Sequence, residues 1–310
     1  MNNAGMDPRR LELLLELSRL GSMRAVAETM HITTSTVSQQ LAVLAREAGT
    51  PLIERAGRQV RLTPAGRRLA EHAVTILAAL EAARLDLDPS AAPSGIVRAA
   101  SYATAARRVL LPAARILAAQ YPEVSLHIHE HEPPEALSLL ASDDTDLALI
   151  YDYNLAPASF DGGLVIRPLG SARWSLGVPS EPGRGRGTAT EVFDRFRDHD
   201  WIVNSRNTAD EAVLRVVGSM AGFEPRVAHR ADSLELVQEM IVAGLGVGLL
   251  PSGQPAMRGV TLQTLHHPPV MLRAYAAIRP GRAAWPPLAL ALDLIQRGFP
   301  ALVGWALWKR

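Results

Sequence analysis

The sequence predicts an α/β protein in three parts: a small helical module carrying a β-hairpin, one long helix, and a larger two-lobed α/β unit. Three observations predict it. Two short helical segments joined by a tight turn lie between Ser22 and Leu44. An apolar stripe of helical period runs from Pro64 to Leu87. From Ile96 onward, short β-type runs alternate with helical stretches, the pattern of an open α/β unit.

The elements follow in order. Leu11–Leu20 forms an apolar helix ending at Gly21. Ser22 caps a second helix, with Ala25, Val26, Thr29 and Met30 at helical spacing. His31-Ile32 makes the turn, with Ile32 expected as a buried plug between the helices. Thr33 caps a third helix that buries Val37, Leu41 and Leu44. Its other face shows Thr34, Ser35, Thr36, Ser38, Gln39 and Gln40, with no charge until Arg46. An ordinary surface helix prefers Glu, Lys and Arg, because hydroxyl and β-branched residues weaken it. In a major groove, short donors and acceptors let the backbone approach phosphates and base edges. DNA recognition is therefore expected of this helix; the alternative is a polar surface helix in a small subdomain.

After Gly49, Ile53 and the alternating Val60 and Leu62 predict a hairpin turning at Ala56-Gly57-Arg58. Such a wing carries arginines that reach the DNA backbone or minor groove, unless it is a solvated turn. Arg46, Arg55, Arg58, Arg61, Arg67 and Arg68 lie close together against only Glu47 and Glu54. This local basic patch matters more than the net charge of +1. Thr63-Pro64 then starts the long helix. Leu69, Ala73, Ile76, Leu77, Leu80, Ala83 and Leu87 recur along it every three or four residues. A stripe this narrow is expected to pack against a copy of itself, with Leu69, Ala73, Leu77, Leu80 and Leu87 in the seam. Docking on the chain's own C-terminal domain is the alternative.

In the remainder, IVRAA, a helix around 105–120, VSLHIHE, the helix PPEALSLLA and DLALIYD make one α/β unit. WSLGVP, a helix near 190–196, WIVN, a helix around 210–220, VAHR, a helix Ser233–Ala243 and VGLLP make a second. MLRAYAAIR and the helix Pro286–Gln296 return to the first. Two such lobes leave a cleft at strand ends, where helix N-termini present N–H groups. Its candidate lining is Ser101, Tyr102, Ala103 and Thr104 on one side and Asn204, Ser205, Arg206, Asn207 and Thr208 on the other. Hydroxyls and amides with one arginine suit a small anion or carboxylate, although Ser and Thr also serve simply as caps. Asp152 and Tyr153 lie near the same cleft or at a hinge, and Tyr102 and Trp174 either close over a ligand or belong to the core.

Enzyme signals are poor. SEPGRGRGT lacks the lysine of a phosphate-binding loop, and GLGVG follows a helix, the reverse of a dinucleotide fingerprint. Its glycines are expected to let the chain turn and approach the cleft. His127, His129 and His131 alternate on one strand without a second ligand cluster. No nucleophile–base pair is apparent, so no enzyme, cofactor or metal site is expected. Cysteine is absent, which excludes disulfides and thiol chemistry. With 310 residues, no leader-like N-terminus and no apolar run of membrane-spanning length, the expectation is a cytoplasmic protein that does not associate with membranes.

The run LLLELSRLGSMRAVAETMHITTSTVSQQLAVLAREAGTPLIERAGRQVRLTPAGRRL, with the later DLALI and GLGVGLLP, resembles the LysR-type transcriptional regulators over nearly the whole chain. The resemblance implies a winged helix-turn-helix at 1–63, a dimerising linker helix at 64–88 and a hinge at 89–95. It further implies an effector domain at 96–297, similar to periplasmic solute-binding proteins, with lobe I at 96–166 and 268–297 and lobe II at 167–267. A tail at 298–310 extends past it, and its Trp305 and Trp308 are expected to cover the domain or a subunit interface. The implied partners are double-stranded promoter DNA, a small-molecule effector, a homodimer or homotetramer, and RNA polymerase for an activator. Carried onto this sequence, the DNA-reading positions are Thr33, Thr34, Ser35, Ser38 and Gln39, with Arg55 and Arg58 on the wing. The effector-binding positions are Ser101, Tyr102, Thr104, Asn204, Ser205 and Arg206. Gln39 stands where the family commonly has arginine, Ile53 where it has phenylalanine and Ala45 where it has glutamate. Two other readings stay open: a repressor with an unrelated ligand domain, and a two-lobed binding protein without DNA function.

Overall fold

The computed structural model describes residues 5–56, 59–88, 92–180 and 187–303. Arg58 of the wing tip, most of the SEPGRGRGT loop, and Trp305 and Trp308 of the tail lie outside the described residues.

Local capping sets the N-terminal module. Asp7 accepts from Arg9 N at 2.9 Å, Pro8 fills the first turn of α1 (Pro8–Leu20), and Gly21 ends it with φ 64°. Ser22 caps α2 (Met23–Thr29) and Thr33 caps α3 (Thr34–Glu47), accepting from Thr36 N at 3.1 Å. The strands β1 (Ile53–Ala56) and β2 (Gln59–Leu62) pair antiparallel as the wing. Thr63 caps α4 (Pro64–Leu87) and ties it back by donating to Pro51 O at 2.7 Å.

Leu14, Leu17, Val37, Leu41, Leu44 and Leu52 form the centre of this module. Two expectations are corrected here. Ile32 is exposed, at 37%, because the left-handed His31 and the Ile32 N to Ala27 O bond close the turn with its side chain outward. Val26, Ala27 and Val37 are the buried residues between the helices instead. Ala73 is buried in the same core, where Leu69 and Leu77 also pack, because the first turns of α4 lie along α1. Only Ile76, Leu80, Ala83 and Leu87 of the predicted stripe remain on its open side.

The C-terminal domain is built on one nine-stranded sheet ordered β4-β3-β5-β11-β6-β9-β7-β8, with β10 also on β6. Lobe I contributes β3 (Gly95–Ser101), α5 (Ala103–Ala105), α6 (Leu111–Gln120), β4 (Val124–Glu130), α7 (Pro133–Ala141) and β5 (Leu147–Tyr153). The helix expected at 105–120 is interrupted by a π-turn at Ala106–Leu110, just before Pro112, which cannot donate the next helical bond. Lobe II contributes α8 (Ala189–Arg195), β7 (Asp200–Val203), α9 (Ala209–Met220), β8 (Arg226–Arg230), α10 (Leu234–Val242), β9 (Val247–Pro251) and β10 (Val260–Thr264). Sequence reading had missed β10.

Two strands join the lobes. The 15-residue β6 (Val165–Pro179) pairs with β11 (Val270–Ile278) along its first part and with β9 and β10 along its last. The chain closes on lobe I with α11 (Pro286–Val303). Gly246 does not approach the cleft as expected: a Cβ there would meet Asp200 O at 2.4 Å, so this glycine lets the chain enter β9 beside β7. Among the described residues, no helix is long and apolar enough to cross a membrane.

Candidate functional site

Two surfaces hold the residues singled out from the sequence. On the N-terminal module, Thr33, Thr34, Ser35, Ser38 and Gln39 are all exposed along the start of α3. Thr33 Oγ1 lies 2.7 Å from Ser35 Oγ and 2.8 Å from Thr36 Oγ1, which orders the first turn. Thr34, Ser38 and Gln39 make no side-chain hydrogen bond within the described residues, so their donors and acceptors face outward. Gln40 differs: it accepts from Arg10 Nε at 2.9 Å, and Arg10 also pairs with Glu47, locking α1 against α3. Arg55 is exposed on the wing, whereas Arg61 is paired with Glu54 across the hairpin at 2.6 Å.

The second surface is the cavity between the lobes. The carboxyl ends of β3 and β7 point at it, so the loops after them form opposite walls. Tyr102, Tyr151 and Trp174 line it with Val203, Leu249 and Leu272 as apolar neighbours. Tyr102 stacks edge-on against Tyr151 with centroids 4.7 Å apart, and Tyr153 meets Trp174 in the same way at 5.7 Å. Tyr102 and Trp174 are only 5% and 7% exposed, yet neither Tyr102 OH nor Trp174 Nε1 has a hydrogen-bond partner. Buried polar atoms are normally satisfied, and these two exceptions belong to residues that line the cavity.

The ionisable lining is acidic. Glu132, Asp210 and Asp232 face the cavity, and its described lining contains no lysine, arginine or histidine. Burial pushes the Glu132 carboxyl up, partly offset by the bond from Tyr151 OH at 3.1 Å. Part of Asp210 reaches solvent, but its carboxyl end is enclosed, and burial pushes it up to about 6 against the bond from Tyr153 OH at 2.8 Å. Asp232 goes the other way. Burial raises it, yet bonds from Ser205 Oγ at 2.6 Å and Arg206 Nε at 2.7 Å hold it below the usual carboxylate range.

The predicted effector residues therefore separate. Tyr102, Thr104 and Asn204 line the cavity. Ser101 is fully buried, its hydroxyl donating to Tyr102 O at 3.1 Å, and does not line it. Ser205 and Arg206 sit on the rim, engaged by Asp232. Arg206 also reaches Glu135 at 3.3 Å and Glu130 at 3.4 Å on the other lobe, and so acts as a clasp surrounded by carboxylates. Arg206 is thus engaged by carboxylates of both lobes and is not among the residues that line the cavity. Asp152 is a buried strand residue held by Arg273 at 2.7 Å and Tyr275 at 3.2 Å.

Sequence reasoning missed Glu132, Tyr151, Asp210 and Asp232. Glu132 precedes Pro133-Pro134, Asp210 lies in a first helical turn and Asp232 just before another, where acids ordinarily serve helix starts. For the three acids the only available signal was their position after strands of opposite lobes; Tyr151, inside β5, carried none.

Comparison with known proteins places both surfaces in one context. Residues 8–67 match the family described as bacterial regulatory helix-turn-helix protein, lysR family, and residues 90–300 match the LysR substrate binding domain. The nitrogen assimilation regulatory protein nac of Escherichia coli is 28% identical over 249 residues, covering 79% of this chain and 78% of that protein. A probable hydrogen peroxide-inducible genes activator of Streptomyces viridosporus is 29% identical over 280 residues, covering 86% and 85%. Full-length OxyR from Pseudomonas aeruginosa, solved as a variant, superposes with a TM-score of 0.71 at 18% identity over 99% of each chain. ArgP from Mycobacterium tuberculosis gives 0.65 at 19% identity over 96% of this chain and 99% of that one. These likenesses establish the shared fold.

Proposed function

This chain belongs to the LysR family of bacterial transcriptional regulators, DNA-binding proteins rather than enzymes, and from that premise we propose how its parts divide the task. The start of α3 enters the major groove with Thr34, Ser35, Ser38 and Gln39 toward base edges and Thr33 near the phosphates. Arg55 and Arg58 of the wing follow the backbone. Two copies join along the open side of α4 through Leu80 and Leu87, presenting two recognition helices to paired half-sites, and a tetramer would pair two such dimers. A small molecule between the lobes changes how the DNA-binding modules are held. For an activator, RNA polymerase is the further partner.

The observation that carries this reading is the outward hydroxyl and amide face of α3, on which Thr34, Ser38 and Gln39 make no side-chain hydrogen bond among the described residues. The chain contains no cysteine, so thiol chemistry has no part in this reading. Gel-shift titration with duplex from the chain's own upstream region tests the reading. Ser35→Ala or Gln39→Ala is expected to lower discrimination at one base position by about 1–3 kcal/mol, while Arg55→Ala weakens specific and scrambled duplexes alike. Equal loss on both duplexes for Ser35→Ala and Gln39→Ala would remove α3 from base reading.

A further inference from the structure

The interlobe cavity has an unbalanced charge. Of its three acids, Asp232 is matched by Arg206, whereas Glu132 accepts from the Tyr151 hydroxyl and Asp210 from the Tyr153 hydroxyl, and neither forms an ion pair among the described residues. Two enclosed carboxyls without a cation are costly, and an anionic guest would add a third negative charge. Around them stand three aromatic rings, Tyr102, Tyr151 and Trp174, whose faces attract cations. The unpartnered Tyr102 OH is both donor and acceptor, and the unpartnered Trp174 Nε1 is a donor only. Ile202, Val203, Leu249 and Leu272 supply the apolar remainder.

We infer that the ligand of this cavity is a small protonated amine on an apolar or aromatic body that also bears one acceptor atom. The ammonium sits against Glu132 and Asp210, the body lies on the aromatic rings, and the acceptor takes the Trp174 N–H. The inference rests on the reading of the cavity as the effector site and adds to it the class of effector.

Calorimetry on the full-length protein near neutral pH, with three matched probes, tests it. 2-Amino-1-phenylethanol carries the ammonium, mandelate replaces it with a carboxylate, and 1-phenylethane-1,2-diol replaces it with a hydroxyl. Only the amine is expected to bind, and Asp210→Asn or Glu132→Gln should each weaken it by about thirtyfold, as for one neutralised partner of a buried pair. Thermal melting verifies that both isosteric variants fold. The inference is overturned if the amine fails to bind at millimolar concentration, if mandelate or the diol binds more tightly, or if both substitutions leave the amine's affinity unchanged. Thr104→Trp, which fills the cavity edge at an uncharged lining position, separates this inference from the underlying reading. A mandelate or diol site lost in that variant keeps the interlobe effector site and overturns only the amine. Amine binding that ignores that variant, or that leaves promoter affinity unchanged in gel shifts, overturns the effector-site reading instead.

Discussion

Gly281 lies so close to Thr75 that a Cβ on the glycine would fall 1.8 Å from the threonine Oγ1. The turn that enters the last helix is thus seated directly on α4. The next residue, Arg282, is fastened into lobe I by Asp146 at 2.9 Å and by the Trp285 ring, 4.0 Å from its guanidinium carbon. Asp146 is shared with Arg98 on β3, so the strand feeding the cavity wall and the seat of the linker helix belong to one ion-paired unit.

Gly281→Ala should therefore loosen α4 from lobe I. The residue has φ 79°, so alanine meets both an unfavourable backbone and the Thr75 side chain. A stability loss of about 1–3 kcal/mol is expected, with faster amide exchange in α4 around Thr75. Unchanged exchange there would mean that the seat does not hold the helix.

Asp210 predicts a pH dependence. Its carboxyl in the folded protein titrates at about 6, above the ordinary 3.8. The stability associated with that proton is fully present below about 3.8 and is lost as pH rises through about 6. Asp210→Asn removes the ionisation and should stabilise the ligand-free protein above pH 6 by on the order of 2–3 kcal/mol, with the gain shrinking toward pH 4. Thermal melts of parent and variant across that range decide it; a gain over the parent no larger at neutral pH than at acid pH contradicts the assignment.

Arg206→Ala tests the clasp. Arg206 is half-exposed and its partners on lobe I are more open still, so each ion pair contributes at most about 1 kcal/mol. The expected result is a small fall in melting temperature and a wider cleft by X-ray scattering. Amine affinity should stay within about fivefold of the parent. A loss of all ligand binding would return Arg206 to the effector site.

Leu80→Asp tests the proposed seam without disturbing the monomer. Leu80 is 47% exposed within the chain, and Leu87 is 86% exposed. A carboxylate at position 80 would be buried only in the dimer, where it lacks a partner. Sedimentation should show monomers of normal melting behaviour; an intact dimer would place the seam elsewhere. Ala73→Asp, by contrast, should unfold the N-terminal module, since Ala73 lies in its core.

Residues acting over one helical turn were legible in the sequence. Ser22, Thr33 and Thr63 cap the helices they were expected to cap, because a cap needs only its own side chain and an N–H three residues on. The buried Val37, Leu41 and Leu44 were likewise written in a helical period, as was the run that became the fully buried β5. The LysR-type architecture was legible only through the family resemblance of those segments in their order along the chain.

Burial by distant neighbours was decided only in three dimensions. Ala73 looks the same in a subunit seam as in a monomer core; α1, more than fifty residues upstream, settles which it is. Arg206 reads as a spare cation until Glu130, Glu135 and Asp232 close around it. Glu132 and Asp210 read as helix-start acids until folding encloses both at one cavity whose described lining holds no cation. Caps and periodic faces are set by contacts within a turn or two, so sequence alone determined them. The environment of a charge depends on which remote groups share its space and how much water they exclude, and only the tertiary structure decides that.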